Sequence, residues 1–306
     1  MQTSRYIVKR VLLAFVSIFA IITITYFLMN LMPGDPFMSE KASEENRAIL
    51  IAKYGLDQPV YVQYGKYLTN LLKGDMGTSY VLQKGRAVKD IIFQSFAVSM
   101  GLGVRALILA IVCAIILGCI AGLCKDKWPD AVIRVFSSIG ISMPGYVIAS
   151  ALMILLAVSF KVLPVSYNKP GGWIMPMVTL AIYPTSYLTR LTRASILEVM
   201  NQDYLRTERA KGMSEFVVVF VHALKNSLIP VITYLGPLTA SILTGGFVAE
   251  SVFSVPGLGR YFVSSISSRD YTMIMGVTIF YSALIVFMNL ICDILYKIVD
   301  PRIKLD

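Results

Sequence analysis

Uncharged stretches long enough to cross a bilayer constrain this chain more than any motif in it. A hydrocarbon core of about 30 Å takes roughly 20 helical residues at about 1.5 Å each. Between Arg10 and Asp35 lie 24 residues without a charge, and between Arg134 and Lys161 lie 26. Lys169 to Arg190 encloses 20, Lys225 to Glu250 encloses 24, and Asp270 to Asp293 encloses 22. A sixth stretch, Asp90 to Lys125, is apolar throughout and broken only by Arg105. With 56% hydrophobic residues and a mean hydropathy of +0.69, the chain carries more oil than a water-soluble domain can hide. The expectation is an all-α transmembrane fold with six spans: one within 1–32, then 96–124, 132–160, 171–189, 228–249 and 271–296. A lobe, 33–95, stands outside the membrane, and a connector, 190–227, joins the fourth and fifth spans. Residues 96–306 form the core domain. The fourth span is the weakest, because Pro170, Pro176 and Pro184 fall in its run.

The net charge of +10 does not mark a nucleic-acid binder. The basic residues border the apolar runs instead of forming one face, and so report orientation. With the N-terminus inside, cytosolic segments hold 15 Lys and Arg, against four in the two short external loops. The lobe holds eight, but long loops cross regardless of charge. This imbalance also defends the fourth span, since removing it would put Arg190, Arg193, Arg206, Arg209, Lys211 and Lys225 outside. The first span follows Arg5, Lys9 and Arg10 as a signal peptide would, but its apolar region is too long and no small-x-small cleavage site follows. It reads as a retained anchor. Cys113, Cys119, Cys124 and Cys292 lack paired metal spacing and read as packing residues.

Within the lobe, Val60, Tyr64, Tyr67, Leu68 and Leu71 repeat at helical spacing, with Pro59 suited to a helix start and Gly74 to a stop. In the second span, "GCIAG" at 118–122 is a small-xxx-small pattern that lets helices approach closely. Arg105, about eight residues deep in that span, either snorkels or pairs at the outer interface, or lines a substrate path. Pro144, Pro176 and Pro184 each bend or interrupt a helix. Such breaks often line transporter pathways.

No catalytic constellation is visible. The single histidine, His222, has no HExxH partner, and neither a Walker A sequence nor a GxGxxG occurs. Acidic residues that would couple transport to protons are missing from the cores of the spans. The chain reads as a conduit that draws its energy from elsewhere.

One polar feature remains. "DYLRTERAKGMSEF", 203–216, carries six charges in fourteen positions. Asn201 or Asp203 can cap a helix over 204–211, Gly212 can stop it in the left-handed conformation, and Ser214 can cap a second helix that runs to Pro230. The result is a short, rigid, mixed-charge knob. It suits docking into a groove of another protein, or serves only as a charged interfacial connector.

This sequence resembles a known family. "DYLRTERAKG" followed by "HALKNSLIPV" is similar to the cytosolic coupling loop of bacterial ABC importer permeases. "MPGDPF", "YGLDQPVYVQYGKYL", "GDMGTSY", "SMPGYVIA", "LPVSY", "AESVFSVPGLGRYF" and "DPRIKL" match, in order, the first (B-type) membrane subunit of the oligopeptide and dipeptide branch. Two departures are Glu208, where alanine is typical, and Arg105 in the second span. The resemblance implies the type I importer fold, with both termini cytoplasmic, in a bacterial cell membrane. It implies a second homologous permease subunit, two cytosolic ATPases that hold ATP and Mg, an extracytoplasmic binding protein and a peptide substrate. This chain would bind no cofactor and no metal, and would not itself be an enzyme. The implied coupling residues are Asp203, Tyr204, Leu205, Arg206, Thr207, Glu208, Arg209, Ala210, Lys211 and Gly212, and candidate path residues are Arg105, Pro144 and Glu250. Other readings are the same machinery with nickel or glutathione as cargo, or a self-contained channel or ion-coupled carrier.

Overall fold

The computed structural model describes residues 2–31, 51, 55 and 57–299. "MPGDPF" at 32–37, "DPRIKL" at 300–305 and most of 33–56 lie outside the described residues. Among the described residues the regular structure is helical, apart from one isolated bridge between Thr78 and Ala87. In chain order the helices are α1 (Gln2–Leu31), α2 (Val60–Leu72), α3 (Val88–Leu123), α4 (Trp128–Ser142) and α5 (Gly145–Leu152), which runs on as a π-helix (Met153–Ser159). Then come α6 (Ile174–Met200), α7 (Asp203–Ala210), α8 (Glu215–Val217), a second π-helix (Val218–Ala223) and α9 (Leu224–Ser227). Last are α10 (Ile229–Gly245), α11 (Phe247–Val252), α12 (Leu258–Ser268) and α13 (Tyr271–Val299).

Four stretches among the described residues are long and apolar enough to span a membrane: Arg10–Leu31, Val88–Leu123, Ile229–Val252 and Tyr271–Ile291. A fifth candidate is the pair α4 and α5 with its π-helical extension, bent by 110°. The expected span over 132–160 is therefore not one straight helix. Pro144 takes the N-cap position of α5 in an extended conformation, so the chain turns there. The expected fourth span lies in α6, which is long enough but not apolar enough to qualify by composition alone. The reason is its surroundings. Met175, Thr179, Ala181, Ser186, Leu188 and Thr192 of α6 are all buried against protein, so this helix need not be oily on every side. Nor do Pro176 and Pro184 interrupt it. Pro176 falls in the first turn, where its missing N–H costs nothing.

The described residues fall into two compact units, one built from Met1–Ser99 with Pro256–Leu290, the other mainly from Met100–Val255. In the first unit, Ile22, Tyr26 and Met29 of α1 pack with Ile274, Met275 and Ile279 of α13, and α2 adds Tyr64, Tyr67, Leu68 and Leu71. That is the apolar face expected of α2, except that Val60 is 37% exposed. Asp270, fully buried, organises the rest of this unit. Its carboxylate accepts the backbone N–H groups of Tyr80 (3.1 Å), Val81 (3.1 Å) and Leu82 (3.0 Å), and the Ser79 hydroxyl. It also accepts the Met273 N–H at 3.3 Å, and so caps the start of α13.

In the second unit, α3 and α6 approach closely at the small-residue pattern. A Cβ at Gly118 would stand 2.5 Å from Thr192 Cβ, and one at Gly122 would stand 2.8 Å from Ile196 Cγ2. No side chain larger than hydrogen fits without separating the helices. At one end of α4, Asp130 is fully buried and forms a two-pronged pair with Arg193 of α6, at 2.6 and 2.7 Å. Arg134 adds a weaker contact at 3.4 Å.

Two outcomes follow from these carboxylates. Asp270→Asn places an amide donor among donors, and should accelerate hydrogen exchange at Tyr80, Val81 and Leu82 at a cost of at least about 2 kcal/mol. Asp130→Asn strands the Arg193 guanidinium and should lower stability by about 3 kcal/mol, read as the thermal midpoint in detergent. Pairing it with Arg193→Gln should recover part of that loss.

Candidate functional site

The charged connector begins where α6 ends. Asn201 and Asp203 were both candidate caps, but neither serves. Gln202 holds the N-cap position of α7 in an extended conformation and makes no side-chain cap. The Asn201 amide instead turns back to the Leu197 carbonyl at 2.9 Å, closing α6, and Asp203 is already helical. Its negative charge in the first turn and Arg209 in the last both suit the helix dipole.

Leu205 anchors α7. It is fully buried, against Val218, Ala223, Val199 and Met200. The Asn226 amide donates to the Tyr204 hydroxyl at 2.8 Å, a second tie between α7 and the returning segment. Gly212 stops the helix at φ +84°, with nothing within 4 Å of where a Cβ would stand. Ser214 then takes the N-cap position of α8, where its carbonyl accepts the Val218 N–H at 3.1 Å. Across the turn, Arg209 pairs with Glu215 at 2.7 Å. Arg206 and Asp203 approach to 3.4 Å, with both side chains largely exposed.

Asp203, Arg206, Thr207, Ala210 and Lys211 present the outward face of α7. Glu208 differs from them. Its Oε1 faces Lys211 at 3.6 Å, while its Oε2 is buried with no hydrogen-bond partner among the described residues. The ten residues expected to form the coupling element are thus brought together as one short helix and its stop.

Arg105, Pro144 and Glu250 sit on three separate elements. The Arg105 guanidinium stands over the Trp173 ring, 5.0 Å from its centroid, a cation–π contact worth about 1 kcal/mol. Pro144 marks the bend before α5. Glu250 is 2% exposed, one turn past Gly246, where a Cβ would come within 3.1 Å of its Oε1. Asp130 and Asp270 were not singled out in the sequence. The available signal was their position at helix starts, where carboxylates are favoured.

Residues 114–305 match the family described as "Binding-protein-dependent transport system inner membrane component". The chain belongs to this family. Residues 3–102 match its N-terminal counterpart, "Binding-prot-dependent transport system membrane comp, N-term". Relatives extend over nearly the whole length. The dipeptide transport system permease protein DppB of Bacillus subtilis is 41% identical over 99% of this chain and 98% of its own. The oligopeptide transport system permease protein OppB of Haemophilus influenzae is 40% identical, and that of Salmonella typhimurium 37%, each over 98% of this chain and 99% of its own. A solved structure titled "Crystal structure of an amino acid ABC transporter with histidines" superposes with a TM-score of 0.56 at 15% identity, over 68% of this chain and 94% of that one. The all-α fold is thus that of an ABC importer's membrane component, and its place is the inner membrane.

Because a Cβ at Gly212 meets open space, only backbone strain opposes one. Gly212→Ala should cost about 1–2 kcal/mol, read as faster hydrogen exchange across α7. Glu215→Gln, which removes an exposed ion pair, should change stability by less than about 1 kcal/mol.

Proposed function

We propose that this chain is one of two homologous membrane subunits of an ATP-driven importer of short peptides. The observation that carries this reading is the near full-length likeness to dipeptide and oligopeptide permeases, at 41% identity with the first. In this reading the face of α7 carrying Asp203, Arg206, Thr207, Ala210 and Lys211 docks on a cytosolic ATPase. ATP and Mg are held there, not on this chain. A short helix anchored by one leucine and one side-chain hydrogen bond can be displaced as a unit, which suits transmitting an ATPase cycle. A binding protein delivers peptide on the opposite side of the membrane. Pro144 and Glu250 contribute to the substrate path, supported by their position at a bend and at a break between apolar helices. The contact of Arg105 with Trp173 favours an interfacial anchor over a path role for that arginine.

Co-purification through a tag on this chain should recover a second permease subunit and one or two P-loop ATPases. Proteoliposomes bearing the complex should accumulate labelled di- to pentapeptides. Nickel or glutathione uptake without peptide uptake would shift the cargo, and an isolated chain that transports alone would overturn the reading. Gly212→Val should leave ATP hydrolysis measurable while lowering peptide uptake at least tenfold; unchanged uptake would exclude this helix as the joint.

A further inference from the structure

Helix α6 carries a polar stripe that its role as a span does not explain. Tyr183, Tyr187 and Arg190 follow at i, i+4 and i+7, and so share one face of the helix. Tyr187 stacks on Tyr234 of the neighbouring α10, with ring centroids 4.4 Å apart and planes 27° apart. Tyr183 continues the series 6.4 Å from Tyr187, at 23°. Tyr234 is seated in turn against the buried cluster of Leu188, Val231 and Leu238. The three rings thus form one nearly parallel set, fixed from behind.

The open side of this set is wrong for lipid. Tyr183 is 46% exposed, about 14 Å along α6 from its start at Ile174, whereas tyrosine at a lipid surface belongs at the membrane's edges. Neither the Tyr183 nor the Tyr187 hydroxyl has a hydrogen bond among the described residues, and the exposed Arg190 has no ion pair there. Tyr187 is half-buried, but its hydroxyl is not enclosed. In hydrocarbon each of these groups costs free energy until something pairs with it. The face offers aromatic surface, two hydroxyls that donate or accept, and past them a cation. A short peptide offers the complement: amide groups to lie on the rings and bond the hydroxyls, and a terminal carboxylate for the guanidinium. The spacing agrees. Four helical residues rise about 6 Å and two extended residues about 7 Å, so successive hydroxyls meet carbonyls on the same side of an extended peptide.

We propose that Tyr183, Tyr187 and Tyr234 form a track for the peptide backbone toward the cytosolic end of the substrate path, and that Arg190 receives the peptide's C-terminal carboxylate where the track ends. This rests on the importer reading above, which puts Arg190 on the cytosolic side. Neither contact reads a side chain. Selection at this point falls on an extended backbone and a free C-terminus, which suits a carrier of short peptides of mixed sequence.

The test uses the full complex in proteoliposomes, with its binding protein, ATP and tritiated Ala-Ala-Ala. Tyr187→Phe keeps the stack and removes one hydroxyl, and should lower uptake about fivefold. Arg190→Gln should lower it about tenfold, and Arg190→Lys should restore most of it. A benzoylphenylalanine photo-crosslinker at position 183 should be labelled by the tripeptide during turnover. Recovery of the partner subunits with each variant checks that the assembly is intact. Wild-type uptake in both Tyr187→Phe and Arg190→Gln would overturn the assignment while leaving the importer reading standing. Crosslinking of position 183 to the second permease subunit, with no tripeptide attached, would overturn it in favour of a subunit contact. If the wild-type complex takes up no tripeptide, the importer reading fails and this proposal with it.

Discussion

A backbone N–H inside hydrocarbon has no water to turn to, and that constraint governs where this chain can break its helices. Each break is closed locally. At the 110° bend, Met143 N–H reaches the Ile139 carbonyl at 2.9 Å and Val147 N–H reaches Pro144 at 3.0 Å. Where the π-helix after α5 ends, Phe160 N–H finds Leu155 at 2.9 Å, and at the α10–α11 break Glu250 N–H finds Gly246 at the same distance. Helix α6 follows the other side of the same rule. Its Thr179 and Thr192 hydroxyls return to the carbonyls four residues earlier, at 2.9 and 2.8 Å, so a polar face can be enclosed without an unpaired donor at either position.

Charge is sorted by the same economy. The pair between Asp130 and Arg193 is buried and two-pronged, and removing one partner leaves a stranded ion worth about 3–5 kcal/mol. The pairs on α7 each keep at least one partner in solvent, and the exposed Arg206–Asp203 pair contributes about 1 kcal/mol or less. The charges of α7 therefore do not hold it in place. Leu205 and the Tyr204–Asn226 bond do that, which leaves the outward face free to meet something else.

Several features were legible because their cause is local. Uncharged runs announce spans, a 3.6-residue repeat announced α2, small residues four apart announced a close helix approach at α3 though not its partner, and a lone glycine after a charged turn announced the end of α7. What stayed hidden is long-range. Asp270 meets residues 188 to 191 positions away, and Asp130 meets Arg193 across 63. No local pattern encodes such partners, nor the ring that Arg105 finds at Trp173. Pro144 foretold a bend but not its angle, which depends on what the two halves pack against. The fourth span read as weak because of its prolines, yet Pro176 lies in the first turn of α6 and Pro184 is carried within the helix. At α7 the expected caps failed because Asn201 was already engaged in closing the helix before it.

The Asp270 carboxylate grips its loop by main-chain groups at Tyr80, Val81 and Leu82, and by a side chain only at Ser79. A lock of that kind is indifferent to what the gripped residues carry outward. The lock itself therefore asks nothing of the side chains at 80 to 82, and what constrains Leu82 is instead its packing against the Val88 and Leu258 cluster.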